Sequence, residues 1–180
     1  DEPVDLAGKL SVKVTTTDGD GDVAFDSKAI GGMISFEDDG PSVTVAITEA
    51  GDVMTDESTD LGDTMTAQAA VVSITALTGE DDEGASTNVE LVIDVADSGL
   101  ATTAGAAITL VADAANDNVV HGMYDDAGTL DGTAFTVSIS DAGVLSVTQY
   151  VSLSHPDSPD NYDEPVDLAG KLSVKVTTTD

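Results

Sequence analysis

The sequence predicts an all-β fold, an antiparallel β-sandwich. Three observations carry that prediction. Apolar residues alternate with polar ones in short runs, as in Val89, Leu91, Ile93 and Val95, and turn residues such as Asp131-Gly132 and Asp141-Ala142-Gly143 stand between the runs. No stretch of length shows a helical period. The core must also be aliphatic, because aromatics make up 3% of a chain that is 41% hydrophobic and has no Trp.

Taken in order, Leu10, Val12 and Val14 alternate with Ser11, Lys13 and Thr15 and predict a half-buried strand. An acidic loop follows from Asp18. Ile30 to Phe36 reads as a strand entered through Gly31-Gly32, and Val43, Val45 and Ile47 as the next. Residues 49–66 read as acidic and turn-rich. Ala70 to Leu77, Val89 to Val95, Ile108 to Ala112, Val119 to Tyr124, Phe135 to Ile139 and Val144 to Val151 complete a set of eight to ten strands. The expected core includes Val12, Val14, Ile34, Val45, Leu91, Ile93, Phe135, Ile139 and Val147, on their period-2 spacing.

The chain repeats itself. Residues 1–18, DEPVDLAGKLSVKVTTTD, recur unchanged at residues 163–180, so the sequence is one full period plus an overlap into the next copy. The two copies are expected to form the same strand, with one copy's partner strand absent from the chain or supplied by a neighbour. Asp38-Asp39-Gly40-Pro41 reads as a boundary, since Pro41 cannot join a ladder and Gly40 permits a turn. Residues 1–40 are then the last strands of one repeat (or the first of a single permuted unit), and residues 41–180 are the next repeat without its last strands.

Composition limits function. Thirty-five acids against five lysines and no arginine give a formal net charge of -30, which excludes nucleic acid as a partner and disfavours anionic lipid. Cysteine is absent, and no apolar run approaches membrane-spanning length, so membrane insertion is not expected of this segment. The two histidines, His121 and His155, are far apart in sequence and form no triad signature. Neither an enzyme nor a small-molecule substrate is expected. His121 reads as a satisfied sheet residue.

The chemistry is carboxylate chemistry. Asp18, Asp20 and Asp22 alternate with Gly19 and Gly21, which allow the curl that gathers the oxygens, and Asp26 follows. Hard oxygen donors in such a loop suit Ca2+, which takes six to eight of them. It is not an EF-hand, because Ala29 stands where that loop needs Glu. Glu37, Asp38 and Asp39 form a second candidate site at the boundary, completed by the adjacent repeat. Weaker candidates are Glu80-Asp81-Asp82, Asp125-Asp126 with Asp131, Asp113 with Asp117, and Asp157 with Asp160 and Asp163. Asp52, Asp56 and Glu57 lie one strand past the boundary, in a loop expected to face away from its own linker and towards another module.

Gln149-Tyr150, His155-Pro156-Asp157, the Thr17 to Asp22 loop and the Asp38 to Pro41 boundary, in this order within the period, carry a resemblance. The sequence resembles the long repeats of type I-secreted RTX adhesins, giant surface proteins of Gram-negative bacteria. The resemblance implies an immunoglobulin-like β-sandwich extender module with calcium at its loops and junctions. It also implies adjacent copies of the same repeat as partners, an extracellular, cell-surface location, and a role in projecting a distal adhesive domain for adhesion and biofilm formation. The nonapeptide GGxGxDxUx is absent, so this is not the calcium β-roll of such a protein. Two other readings stand beside the extender. A ligand-binding module of the same fold has few aromatics for a sugar platform, and a hydrolase lacks a convergent site.

Overall fold

The computed structural model describes residues 3–49, 51–80, 83–126, 128–155 and 165–180. It is all-β, with antiparallel pairing throughout and no α-helix among the described residues. The strands are β1 (Val4–Asp5), β2 (Ser11–Thr17), β3 (Val23–Ala29), β4 (Ser35–Phe36), β5 (Ser42–Ile47), β6 (Thr64–Thr66), β7 (Val72–Leu77), β8 (Ser86–Ile93), β9 (Asp97–Ala101), β10 (Ala107–Ala112), β11 (Val119–Asp126), β12 (Thr129–Ile139), β13 (Leu145–Gln149) and β14 (Leu172–Thr179).

One layer is a six-stranded sheet in the order β6-β13-β12-β11-β10-β9. Facing it are the pairs β14-β8 and β5-β7. The core forms where inward residues of the two layers meet. Ile108, Leu110, Val120, Phe135, Val137 and Ile139 come from the large sheet, and Val72, Val89, Leu91 and Val176 from the pairs. Each fully buried side chain of this size stabilises the fold by roughly 1.5–3 kcal/mol. The alternation that predicted β8 is realised: Val89 and Leu91 are buried, with Val174 and Val176 of β14 directly opposite Leu91 and Val89.

Residues before the boundary fold on themselves. β2 and β3 make a hairpin, and β1 pairs with β4. The Asp39 carboxylate meets the β7–β8 turn, where it accepts the Glu80 N–H at 3.1 Å.

Four expectations are corrected. Val12 and Val14 are not core: they are 47% and 63% exposed, because among the described residues β2 pairs only with β3 and no second layer covers it, and Ile34, at the end of the 3-10 turn in the same outlying part, also stands outside the core cluster. Their twins in the second copy, Val174 and Val176, do pack against the core. The expected strand from Ile30 to Phe36 is mostly a 3-10 turn at Gly31–Met33, leaving two residues to β4. Gly31 is forced there, since a Cβ would collide with the Leu6 carbonyl. Residues 49–66 contain a strand, β6, which closes one edge of the large sheet. Finally, Asp131-Gly132 is not a turn but lies inside β12, where Gly132 stands opposite Tyr124 and leaves room for its ring. β3 and β9 were not expected at all.

The repeated segment forms the same strand twice, as expected: β2 and β14 have matching sequence and extent apart from one residue. Against expectation, each copy finds a partner strand within the chain, β3 for β2 and β8 for β14.

Candidate metal centre

Asp18-Gly19-Asp20-Gly21-Asp22 is the turn that joins β2 to β3. The Asp18 N–H donates to the Asp22 carbonyl at 3.0 Å, and the Gly21 N–H donates to the Asp18 carbonyl at 3.3 Å. Gly21 has φ +100°, a conformation that L side chains rarely adopt. The Asp22 N–H also donates to Asp18 Oδ1 at 2.9 Å, so the first acid braces the turn it starts. This curl gathers one carboxylate oxygen from each of Asp18, Asp20 and Asp22 within 4.8 Å of one another, all on the exposed surface.

Like charges so close destabilise the turn unless a proton or cation stands among them. Asp18 is held below the usual carboxylate range. The main cause is its hydrogen bond with the Asp20 side chain, helped by the backbone N–H of Asp22. The donor set fits a hard cation: three carboxylate oxygens, with backbone carbonyls at hand and neither imidazole nor thiolate in the turn.

The other predicted ligands lie elsewhere. Asp26 is on β3, where its carboxylate pairs with Lys28 Nζ at 3.1 Å and accepts the Ser27 N–H. Glu37, Asp38 and Asp39 are exposed on the connection between β4 and β5. Among the described residues they do not form a three-acid group of the kind that Asp18, Asp20 and Asp22 make.

The weaker candidates separate too. Asp113 accepts the Ala115 and Asn116 N–H groups and pairs with His121 Nε2 at 3.0 Å, whereas Asp117 accepts from Asn88 at 2.8 Å. His121 also meets Thr136 Oγ1 at 3.1 Å, which makes it a satisfied sheet residue. Asp125 accepts the Gly128 N–H. Asp81, Asp82, Pro156, Asp157, Asp160 and Asp163 lie outside the described residues, as does the side chain of Asp126.

One polar cluster escaped the sequence reading. Gln149, 4% exposed, donates to Glu57 Oε1 at 2.8 Å and to the Val151 carbonyl at 2.9 Å, and it accepts from Thr55 Oγ1 at 2.6 Å. Glu57 Oε1 also accepts the Leu153 N–H at 2.6 Å, and His155 Nε2 stands 3.7 Å from it. Glu57 therefore turns inward and pins its own loop to β13. The signal available was Gln149 itself, a polar residue at the end of an otherwise apolar alternation. In the same loop, Asp56 caps the turn through the Ser58 hydroxyl and N–H, which hold its carboxyl below the usual range.

Among the described residues, no helix is long and apolar enough to cross a membrane. Neither a curated protein nor a solved structure matches the chain. Residues 52–180, from the loop after β5 through β14, match the family described as Domain of unknown function (DUF5801), and the chain belongs to that family.

Proposed function

We propose that the chain is a calcium-stiffened spacer module from a tandem array, the extender repeat of a type I-secreted surface adhesin. The observation that carries this reading is the position of the carboxylate trio. It sits in the turn that immediately follows the repeated strand, and Asp180, the twin of Asp18, stands at the same point after the second copy of that strand. A tandem array therefore places one such turn in every period. Bound Ca2+ would offset the like-charge repulsion there, with Asp18, Asp20 and Asp22 as its protein ligands, and would lock the hairpin. The Asp39 contact with Glu80 beside the boundary is a further support, because it braces the linker against the module that follows.

The test is a two-repeat protein compared in calcium and in EDTA. Small-angle scattering should show a shorter maximum dimension in EDTA, and melting should fall by more than about ten degrees, as expected for ligand at large excess over its Kd. Equal dimension and equal melting in both conditions overturn the spacer reading.

A further inference from the structure

The two copies of the repeated strand use opposite edges. In the first copy, the Leu10 carbonyl accepts the Ile30 N–H, and the Asp18 N–H donates to Asp22. Hydrogen-bonding residues alternate along an antiparallel ladder. The backbone groups of Leu10, Val12, Val14, Thr16 and Asp18 therefore face β3. In the second copy, the Lys171 carbonyl accepts the Asp94 N–H, and the ladder continues from Leu172 opposite Ile93 to Thr179 opposite Ser86. Here Lys171, Ser173, Lys175, Thr177 and Thr179 face β8. These are the twins of Lys9, Ser11, Lys13, Thr15 and Thr17, the residues that point away from β3.

Each copy thus shows one neighbour and leaves open the edge that the other copy fills. Among the described residues β14 pairs only with β8, and β2 only with β3. β5 runs near β14 but, among the described residues, shares no ladder with it. The segment around β1 also differs between the copies. Val4 pairs with Phe36 and is 67% exposed, while its twin Val166 lies outside any strand and packs against the core.

We propose that the open edge of β14, presented by Leu172, Val174, Val176 and Thr178, receives a strand of sequence Val23–Ala29 from another copy of the repeat. Its register is the one seen between β2 and β3. The occupant is identified by the pairing already present, because the same strand sequence selects it in the first copy. Its side chains suit an outermost position. Asp26 and Lys28, an ion pair, lie on the same face as Val14 and Val12, and inward charges are a device that stops a sheet from growing further. The complete module then has the strand order β8-β14-β3, with β3 supplied by the residues that follow the repeated segment.

This inference rests on the tandem part of the proposed function but not on calcium. The test lengthens the full chain beyond Asp180 by a second copy of residues 19–40 and follows amide exchange along β14 by NMR, in EDTA and in calcium. In the 180-residue chain, the amides of Ser173, Lys175, Thr177 and Thr179 should exchange slowly and those of Leu172, Val174, Val176 and Thr178 fast. In the longer chain the second set should slow by at least about tenfold, in either buffer or in calcium alone. A version with Pro in place of Ala24 in the added segment should restore fast exchange without unfolding the module, since Pro cannot keep a ladder. If the second set stays fast in the longer chain in both buffers, the docking edge is refuted, whatever scattering says about the spacer. If it is already slow in the shorter chain, β14 has another occupant and the proposal fails as well.

Discussion

Gln149 on β13 donates to Glu57 across 2.8 Å, and the two residues are 92 positions apart in the chain. Around this contact Thr55, Val151 and Leu153 find their polar partners. Gln149→Ala should therefore leave several half-buried groups unpaired and cost about 2–3 kcal/mol. Urea unfolding measures this. The midpoint should fall with an unchanged slope, and a loss below about 0.5 kcal/mol would show that water replaces the amide at little cost.

Two glycines on β11 and β12 are required by rings rather than by turns. Gly122 stands opposite Phe135, where an added Cβ would lie 2.5 Å from the ring, and Gly132 stands opposite Tyr124. Gly122→Ala should destabilise by about 1–3 kcal/mol, the usual cost of overpacking. Gly19→Ala is the contrast, because nothing lies near that Cβ and its φ is not positive. Melting of the two variants without calcium should separate them clearly.

The repeated strand offers its own internal control. Val14 and Val176 occupy the same place in identical sequence, yet Val14 is 63% exposed and Val176 8%. Val176→Ala should cost roughly 2 kcal/mol by lost burial and the cavity it leaves, and Val14→Ala close to nothing. In the lengthened chain described above, the β14 substitution should cost at least as much.

At the proposed calcium site one substitution should change sign between buffers. Asp20→Asn removes a charge from the trio and so relieves repulsion in EDTA, while in calcium it would remove one of the proposed ligands. Melting of the variant should be equal to or above the parent's in EDTA and below it in calcium. A variant that matches the parent in both buffers would leave the turn with no cation to hold.

Acid stability should depend on Asp113. Its hydrogen bond to His121, with the Ala115 N–H, holds its carboxyl below the usual carboxylate range. A group depressed in the folded state contributes stability above its unfolded pKa and loses it as the pH falls through the folded value. The parent should therefore lose stability below about pH 4, and Asp113→Asn should flatten part of that loss. Asp56 and Asp18 contribute in the same direction, so the acid limb should shrink without vanishing.

Legibility followed burial. β8 and β14 could be read because one face is core and the other water, which gives clean alternation. β3 could not, because Asp26 and Lys28 occupy the face shared with Val12 and Val14, while Val23 and Phe25 are exposed on the other. β9 was hidden by a polar core residue: Ser98 is 2% exposed, and its hydroxyl donates to the Ile108 carbonyl at 2.6 Å. The carboxylate trio was legible because its members are spaced within a single turn. The Gln149 cluster was not, since its partners meet only after the sheets have packed. Val12 and Val14 show a further limit. Alternation reports the face a strand can bury, and the partner that buries it need not lie beside that copy of the strand.

The opposite-edge pairing of β2 and β14 also sets an order of assembly. Thr17 meets Val23 across a single short turn, whereas Leu172 must find Ile93 after a long excursion of the chain. Short loops close in well under a microsecond and hairpins form in microseconds, while distant ladders wait on a larger search. In a continuous array the hairpin is therefore the early event and capture of β8 the late one. The acidic turn stands at the early step, so a cation bound there as proposed would relieve the repulsion among Asp18, Asp20 and Asp22 and speed the hairpin, not the later capture of β8.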